Sequence, residues 1–295
     1  MLLPTRQRRK WAERLLNSVA RESAHPEAVE VVIRVDADDT NSHGIDHPDL
    51  RIIELIGPQR SMGDYNSDAL EASHGEIIVL VNDDMVIRTP DWDERLRAVH
   101  AEYADGVYLS YGNDLFKGRN LCVFPILSRR CCEWLVEPYP RAYQGAFIDY
   151  HLFDVFKRLE KAGYNRIRYL DDVIFEHLHF RASKAPLDAI YASRPRFGDD
   201  PMFLALSSLR QAQANWLVEA IQNKTAQPTQ HVWSHISSAS PRNLFDATVQ
   251  YTHWIFLDRN LPLRWRFRLW VWFLVRYLVS GTWRSKNFRI QETTH

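Results

Sequence analysis

The chain has 295 residues and balances 37 Lys plus Arg against 37 Asp plus Glu, so no global basic field exists to attract nucleic acid. Hydrophobic residues make up 45% and charged residues 25%, proportions that exclude a disordered chain, a collagen-like chain and a polytopic membrane protein. This length suits one large α/β domain with an appendage, or two domains.

From the N-terminus, Met1 to Leu3 is a short apolar run that stops at Pro4-Thr5-Arg6, and Trp11, Leu15, Leu16 and Val19 then recur on one helical face. Val29 to Val35 is rich in β-branched residues and ends abruptly in Asp36-Ala37-Asp38-Asp39-Thr40-Asn41, which predicts a strand and a strand-end loop. Leu50 to Ile56 predicts a third strand and Ser61 to Ser73 a helix. Glu76 to Val81 is apolar enough for a central parallel strand, and Asn82-Asp83-Asp84 closes it. Trp92, Leu96, Val99 and Tyr103 share one helical face, as do Leu152, Val155, Phe156 and Leu159 in a helix that stops at Gly163. Such alternation implies an α/β fold with a doubly wound sheet. Ligands of such sheets bind at the carboxyl ends of the strands, where both acidic clusters fall.

Beyond about Arg181 the pattern changes. Met202 to Ile221 predicts helix, and Asn223 to Pro241 predicts a linker or surface loop. From Leu261 onward Arg264, Arg266, Arg268, Arg276 and Arg284 are interleaved with Trp265, Trp270, Trp272 and Trp283. Arg276 keeps the uncharged run below the roughly 18 residues needed to cross a bilayer. Residues 261–284 therefore suit peripheral contact with an anionic membrane. The alternative is a C-terminal helix packed on the domain with its arginines solvated. Cys122, Cys131 and Cys132 cannot all pair within one chain, and a vicinal pair is a poor staple, so a reducing cytoplasm is expected, with Cys131-Cys132 as buried small hydrophobes. The first residues lack the apolar run of a signal peptide, which agrees with a cytoplasmic protein at the inner membrane face.

Two acidic clusters carry the chemistry. Asn82 and Asp84 straddle Asp83 at a strand end, where an amide oxygen and a carboxylate can meet Mg²⁺ or Mn²⁺ shared with substrate phosphates; Asx hydrogen bonding in a turn is the competing explanation. The cluster Asp36-Ala37-Asp38-Asp39-Thr40 admits three readings. An EF-hand requires Gly at its sixth position and Glu at its twelfth, and finds Asn41 and His47. A haloacid-dehalogenase-like phosphatase would use Asp36 as nucleophile and Asp38 as acid/base, but Asp171-Asp172 lacks a preceding Gly, and Lys157 and Lys161 lie within a predicted helix. In the third reading, Asp36 or Asp38 accepts hydrogen bonds from a nucleotide base or ribose.

The order of these landmarks resembles the GT-A nucleotide-binding half of family-2-type glycosyltransferases. It runs from Pro4-Thr5-Arg6 through Val-Asp-Ala-Asp-Asp after the second strand, then Asn66, Ala69, Ala72 and Gly75, to the strand at residues 77–81 ending in Asn82-Asp83-Asp84. Downstream, Gly145-Ala146-Phe147-Ile148-Asp149 resembles the family's acceptor-side acidic motif, and the stretch ending at His177 its later strand. The likeness spans about residues 1–180, leaving 181–295 as a mainly helical C-terminal region. It implies a GT-A, mostly parallel sheet flanked by helices, with a helical extension. The activity implied is sugar transfer from a nucleotide-diphosphate donor to a hydroxyl acceptor, with inversion, in cell-surface polysaccharide or lipid-linked glycan synthesis. Asp149 becomes the general base, Pro4, Thr5, Arg6, Asp36, Asp38, Asn66 and Asp83 the donor-binding set, and Asn82, Asp84 and His177 the ligands of Mn²⁺ or Mg²⁺. The partners implied are the nucleotide sugar, a glycan or lipid-linked acceptor, and the membrane.

The sequence departs from that pattern at two places: Asn82 stands where the family carries Asp, and Ile148 where it carries an acid, so Asp149 works alone. A membrane-docked binding module with decayed carboxylates stays open as a non-catalytic alternative. Arg6 and Arg60 are candidates for meeting a diphosphate. His177 and His179 share one face of an extended segment. Trp11, Trp92 and Trp134 read as core or sugar-stacking residues.

Overall fold

The computed structural model describes residues 1–179, 184, 197–223 and 241–280. Strands β1 (Leu2–Thr5), β2 (Glu30–Asp36) and β3 (Arg51–Gly57) pair in parallel in the order β3-β2-β1. A parallel bridge from Leu2 to Leu80 joins them to a second set, β4 (Ile77–Val79), β5 (Met85–Ile87), β6 (Leu109–Asn113), β7 (Ile126–Ser128) and β8 (Ile167–His177). Their order is β4-β7-β6-β8-β5. Strand β7 runs antiparallel to β4 and β6, and β5 antiparallel to β8, while β6 and β8 are parallel. The result is a mostly parallel α/β sheet with Ile77–Val79 near its middle, where the apolar run placed it.

Alternation along each strand feeds two cores, one per face. Val31, Ile33 and Val35 of β2 join Leu15, Leu16 and Val19 of helix α1 (Arg9–Glu22) and Trp92, Leu96 and Val99 of α3 (Trp92–Glu102). Val32 turns to the other face, where α2 (Met62–Ala72), α4 (Arg129–Leu135) and α5 (Ile148–Lys161) pack. Helix α2 begins at a capping box, with Ser61 Oγ accepting from the Asp64 amide at 3.0 Å. Its Gly63 is required by close approach, because a Cβ there would lie 2.0 Å from the Pro140 carbonyl oxygen. That contact sets the loop leading into α5. Trp92 is a core residue, edge-on to Phe175 at 5.8 Å, and Trp11 lies beneath the guanidinium of Arg14 at 4.8 Å. The three cysteines are buried and unpaired by disulfide.

The segment Met202 to Ile221 is two helices, α6 (Asp200–Ala205) and α7 (Ser207–Ile221), broken at Leu206. They are followed by α8 (Leu244–Tyr251) and α9 (Leu263–Ser280). Core residues of α7, α8 and α9 belong to the same cluster as Leu152 and Phe156 of α5, so the helical region completes the core of the sheet's second face. The Trp/Arg segment owes much of its pattern to this packing. At four-residue spacing, Trp265, Leu269, Phe273 and Tyr277 form one buried stripe. Trp265 Nε1 donates to Asp154 at 2.8 Å, Arg268 to Asn120 at 3.2 Å and Arg276 to Asp200 at 2.9 Å. Trp283 and Arg284, residues 224–240 of the expected linker, and Arg181 at the expected change of character lie outside the described residues. Among those described, no helix is long and apolar enough to cross a membrane.

Asp154 ties these helices together. Fully buried on α5, its Oδ2 accepts from Arg158 at 3.0 Å and from Arg210 of α7 at 2.7 Å, while Oδ1 accepts from Trp265 of α9. Burial alone would raise its pKa; the two guanidinium charges outweigh that and hold it below the ordinary value. Replacing Asp154 with Ala would strand two buried guanidinium groups, and the expected loss is about 3 to 5 kcal/mol, read from urea denaturation.

Candidate active site

The carboxyl ends of β1, β2 and β4 converge, as a parallel sheet requires, and bring most of the expected residues to one edge. Pro4 is buried within β1, in register with Arg34. Thr5, the next residue, donates from Oγ1 to Asp83 at 2.9 Å, and Arg8 reaches the other oxygen of Asp83 at 3.0 Å. Asp83 is buried, and desolvation outweighs the Arg8 charge to push its pKa up to about 6. Its carboxylate thus holds the loop between β1 and α1.

Arg6 meets the second cluster. Its guanidinium donates to Asp36 at 2.6 Å and to both oxygens of Asp38 at 2.6 and 2.8 Å. Tyr65 Oη donates to the other oxygen of Asp36 at 2.5 Å, and Arg34 lies 3.8 Å from it. Asp36 is therefore buried and engaged at both oxygens, an environment that suits an anchor and not the attacking oxygen of a phosphatase. Asp38 is largely exposed at the loop tip. Arg60 is half exposed and sits 3.7 Å from Asp68.

The main cleft opens beside these residues, with a volume of about 480 Å³. Asn66, Asn82, Asp149 and His177 all line it. Asn66 is buried on α2, and its Oδ1 has no hydrogen-bond partner. Asp84, fully buried just beyond Asn82, places Oδ2 3.1 Å from His177 Nε2. The rings of Phe124 and His179 flank His177 edge-on at 5.2 and 4.9 Å, and its Nδ1 is buried without a hydrogen-bond partner. For a divalent cation this pair fits, because two ligand atoms held about 2.1 Å from one octahedral ion lie about 3 Å apart. Among the described residues no three His, Cys, Asp or Glu side chains are grouped to hold a metal ion, so the remaining ligands would be substrate oxygens.

Asp149 stands in the first turn of α5 and is half-buried. Desolvation pushes its pKa up to about 6, against a hydrogen bond from the Tyr150 amide at 2.8 Å and the more distant charges of His177 and Lys117. Ile148, standing where a second acid was expected, is buried in the core. The turn before α5 places Phe147 at φ +72°, in the left-handed region. Asp199 secures that turn: its carboxylate accepts from the backbone amides of Gln144, Gly145 and Ala146 at 2.9, 2.9 and 2.8 Å.

Sequence reasoning missed Asp199, which follows the motif by some fifty positions and carries no signal of its own. It also missed the aromatic wall. Trp272 of α9 stacks on Tyr150 at 4.3 Å and 13°, and the Arg276 guanidinium lies over Trp272, Phe197 and Phe147 at 4.7, 5.0 and 5.2 Å. Of the tryptophans expected to stack on sugar, none lines the cleft; Trp272 does.

No family model matches the sequence, and neither does any curated protein. Among solved structures, residues 1–349 of TarS from S. aureus in complex with UDP-GlcNAc align with a TM-score of 0.54 at 16% identity, covering 98% of this chain and 90% of that one. The same TarS fragment solved without that ligand gives 0.50 at 16% identity, over 99% and 91%. The mannosyltransferase PcManGT from Pyrobaculum calidifontis, in complex with GDP-Man and Mn²⁺, gives 0.48 at 16% identity, over 96% and 86%. Asp199→Ala would leave three backbone amides unpaired beneath the α5 turn, and an expected cost of about 2 to 3 kcal/mol is measurable by urea denaturation. The chain has the GT-A fold, with a mostly parallel sheet flanked by helices and a helical C-terminal region.

Proposed function

We propose that this protein is a glycosyltransferase that moves a sugar from a nucleotide-diphosphate donor to a hydroxyl acceptor, with inversion at the anomeric carbon. The observation that carries the reading is Asp149, a half-buried carboxylate in the first turn of α5 that faces the same cleft as His177 and Asn82. With Asp36 engaged at both oxygens and Ile148 buried, Asp149 is the acid best placed for proton transfer, and one base opposite the leaving group is the arrangement of direct displacement. The base and ribose of the donor are assigned to the strand-end edge formed by Pro4, Thr5, Arg6, Asp36, Asp38 and Asn66. Asp83 supports that edge from within, through Thr5 and Arg8.

The burial that raises Asp149 makes it a stronger base than a solvated aspartate, yet leaves it mostly ionised at neutral pH. Tyr150 and Trp272 screen one side of the reacting hydroxyl from water. Asp84 and His177, with the Asn82 amide oxygen, are the residues that would hold Mn²⁺ or Mg²⁺. A divalent ion bound there would stabilise the charge that builds on the departing diphosphate. We assign the protein to cell-surface polysaccharide or lipid-linked glycan synthesis at the cytoplasmic face of a membrane, which its C-terminal region touches. That assignment is supported by the arginine-rich composition of residues 241–280, six arginines against two aspartates.

A screen of nucleotide sugars for turnover tests the reaction. Because Asp149 acts deprotonated, kcat/KM should fall as pH drops through about 6. Asp149→Asn should abolish turnover while leaving Tm at pH 8 unchanged or higher, since the fold no longer holds a desolvated charge. Wild-type turnover by Asp149→Asn would refute the base assignment; no turnover by either protein, despite nucleotide binding, would favour the non-catalytic module. Calorimetry reads the cation independently: Mn²⁺ should bind weakly alone and tightly with UDP, and His177→Ala should weaken the UDP-dependent binding at least about tenfold.

A further inference from the structure

The outer face of α9 is apolar where a helix on a soluble domain would be polar. Its inner stripe is already buried, yet Leu263, Phe267, Val271, Val275 and Leu278 are exposed on the opposite side, with Phe267 at 55%. Val275 and Val279 belong to two surfaces at once. They are exposed at 51% and 56%, and they also line the cleft that holds Asp149. An unbroken apolar path therefore runs from beside Trp272 and Tyr150, over Val275 and Val279, onto the outer face of the helix.

Charge around this face matches an anionic bilayer. Arg242, Arg259 and Arg264 are exposed. The segment's two acids are occupied, Asp258 with Arg158 at 2.6 Å and Asp246 with the Arg242 amide at 2.8 Å in the α8 cap. Aliphatic side chains between exposed arginines are the composition of a helix lying in the lipid headgroup layer.

We infer that the acceptor is an amphiphile: its hydroxyl-bearing head reaches Asp149, while its apolar part lies along Val275 and Val279 and continues into the bilayer on which the outer face of α9 rests. The catalytic half of this statement depends on the glycosyltransferase reading; the apolar track does not. A water-soluble acceptor would gain nothing from two exposed valines at the mouth of the cleft. An acceptor held by its tail in the membrane needs such a path, because its head must enter the site without the tail crossing water.

Calorimetry on the full chain would compare a dodecyl glycoside with the matching methyl glycoside, with and without UDP. Co-sedimentation would use phosphatidylcholine vesicles with about one third phosphatidylglycerol. The dodecyl compound should bind at least about tenfold more tightly. Val275→Asp/Val279→Asp should lose that preference, sediment less with the vesicles and keep wild-type UDP affinity. Equal binding of the two glycosides, or a preference that survives the double substitution, would overturn the inference. So would a wild-type dimer that the double substitution splits and that ignores vesicles, since a second copy would then cover the face. If UDP fails to bind while the dodecyl preference behaves as expected, the track stands and the glycosyltransferase reading falls.

Discussion

The carboxylate of Asp154 is the constraint on which the architecture of the cleft depends. Two arginines and an indole from three helices converge on it in a region with no water to replace them. A buried charge of this kind contributes less net stability than its short distances imply, because each partner was desolvated to reach it. Its effect is positional. Helix α5 carries Asp149 at its first turn, and α9 carries Trp272 and Arg276, so fixing α5 against α9 at Asp154 also fixes the base against the aromatic wall two turns away. Arg276 closes the arrangement at the far end, bound to Asp200 and lying over Phe147, the residue just before α5.

The two raised carboxylates show why burial alone does not identify a base. Asp83 and Asp149 are both pushed up to about 6 by desolvation. Asp83 is enclosed, and both of its oxygens are met by protein donors, Thr5 and Arg8. Asp149 is half-buried on the cleft and accepts one short-range amide bond. The same shift therefore marks a structural post in one case and a group able to exchange a proton with substrate in the other. Geometry separates them where the pKa does not.

Local features of the first 180 residues were legible because each has a local cause. β-branched runs gave β1, β2 and β3 within a residue or two of their observed ends, Ser61 capped α2, and Gly163, at φ +99°, ended the helix of Leu152 and Leu159. Asn82, Asp84 and His177 were found because strand ends deliver side chains to a common edge. The short strands β6 and β7 were not legible, since three to five residues provide too few alternations to show a period. Asp199 was invisible for a different reason: its partners are backbone amides, which leave no mark on the sequence around them. The Trp/Arg stretch was legible as amphipathic but not as to which side faced what. Its tryptophans turn toward the domain, and its aliphatics turn outward.

That inversion bears on how the C-terminal region can act. Had the tryptophans formed a detachable anchor, the helix would be separable from the site. Instead Trp265 is buried against Asp154, Phe273 packs among Phe147, Phe203 and Tyr251, and Trp272 covers Tyr150 beside the base. Removing α9 would expose that core and unroof the cleft together, so its outer face can be probed only by surface substitutions that leave the inner stripe intact. One helix thus stabilises the fold through one side, shapes the cleft along an edge, and presents an apolar surface on the other side. Contact made at that surface lies a single helix diameter from the reacting group, about 10 Å, close enough for an acceptor anchored outside to reach Asp149 without any domain movement.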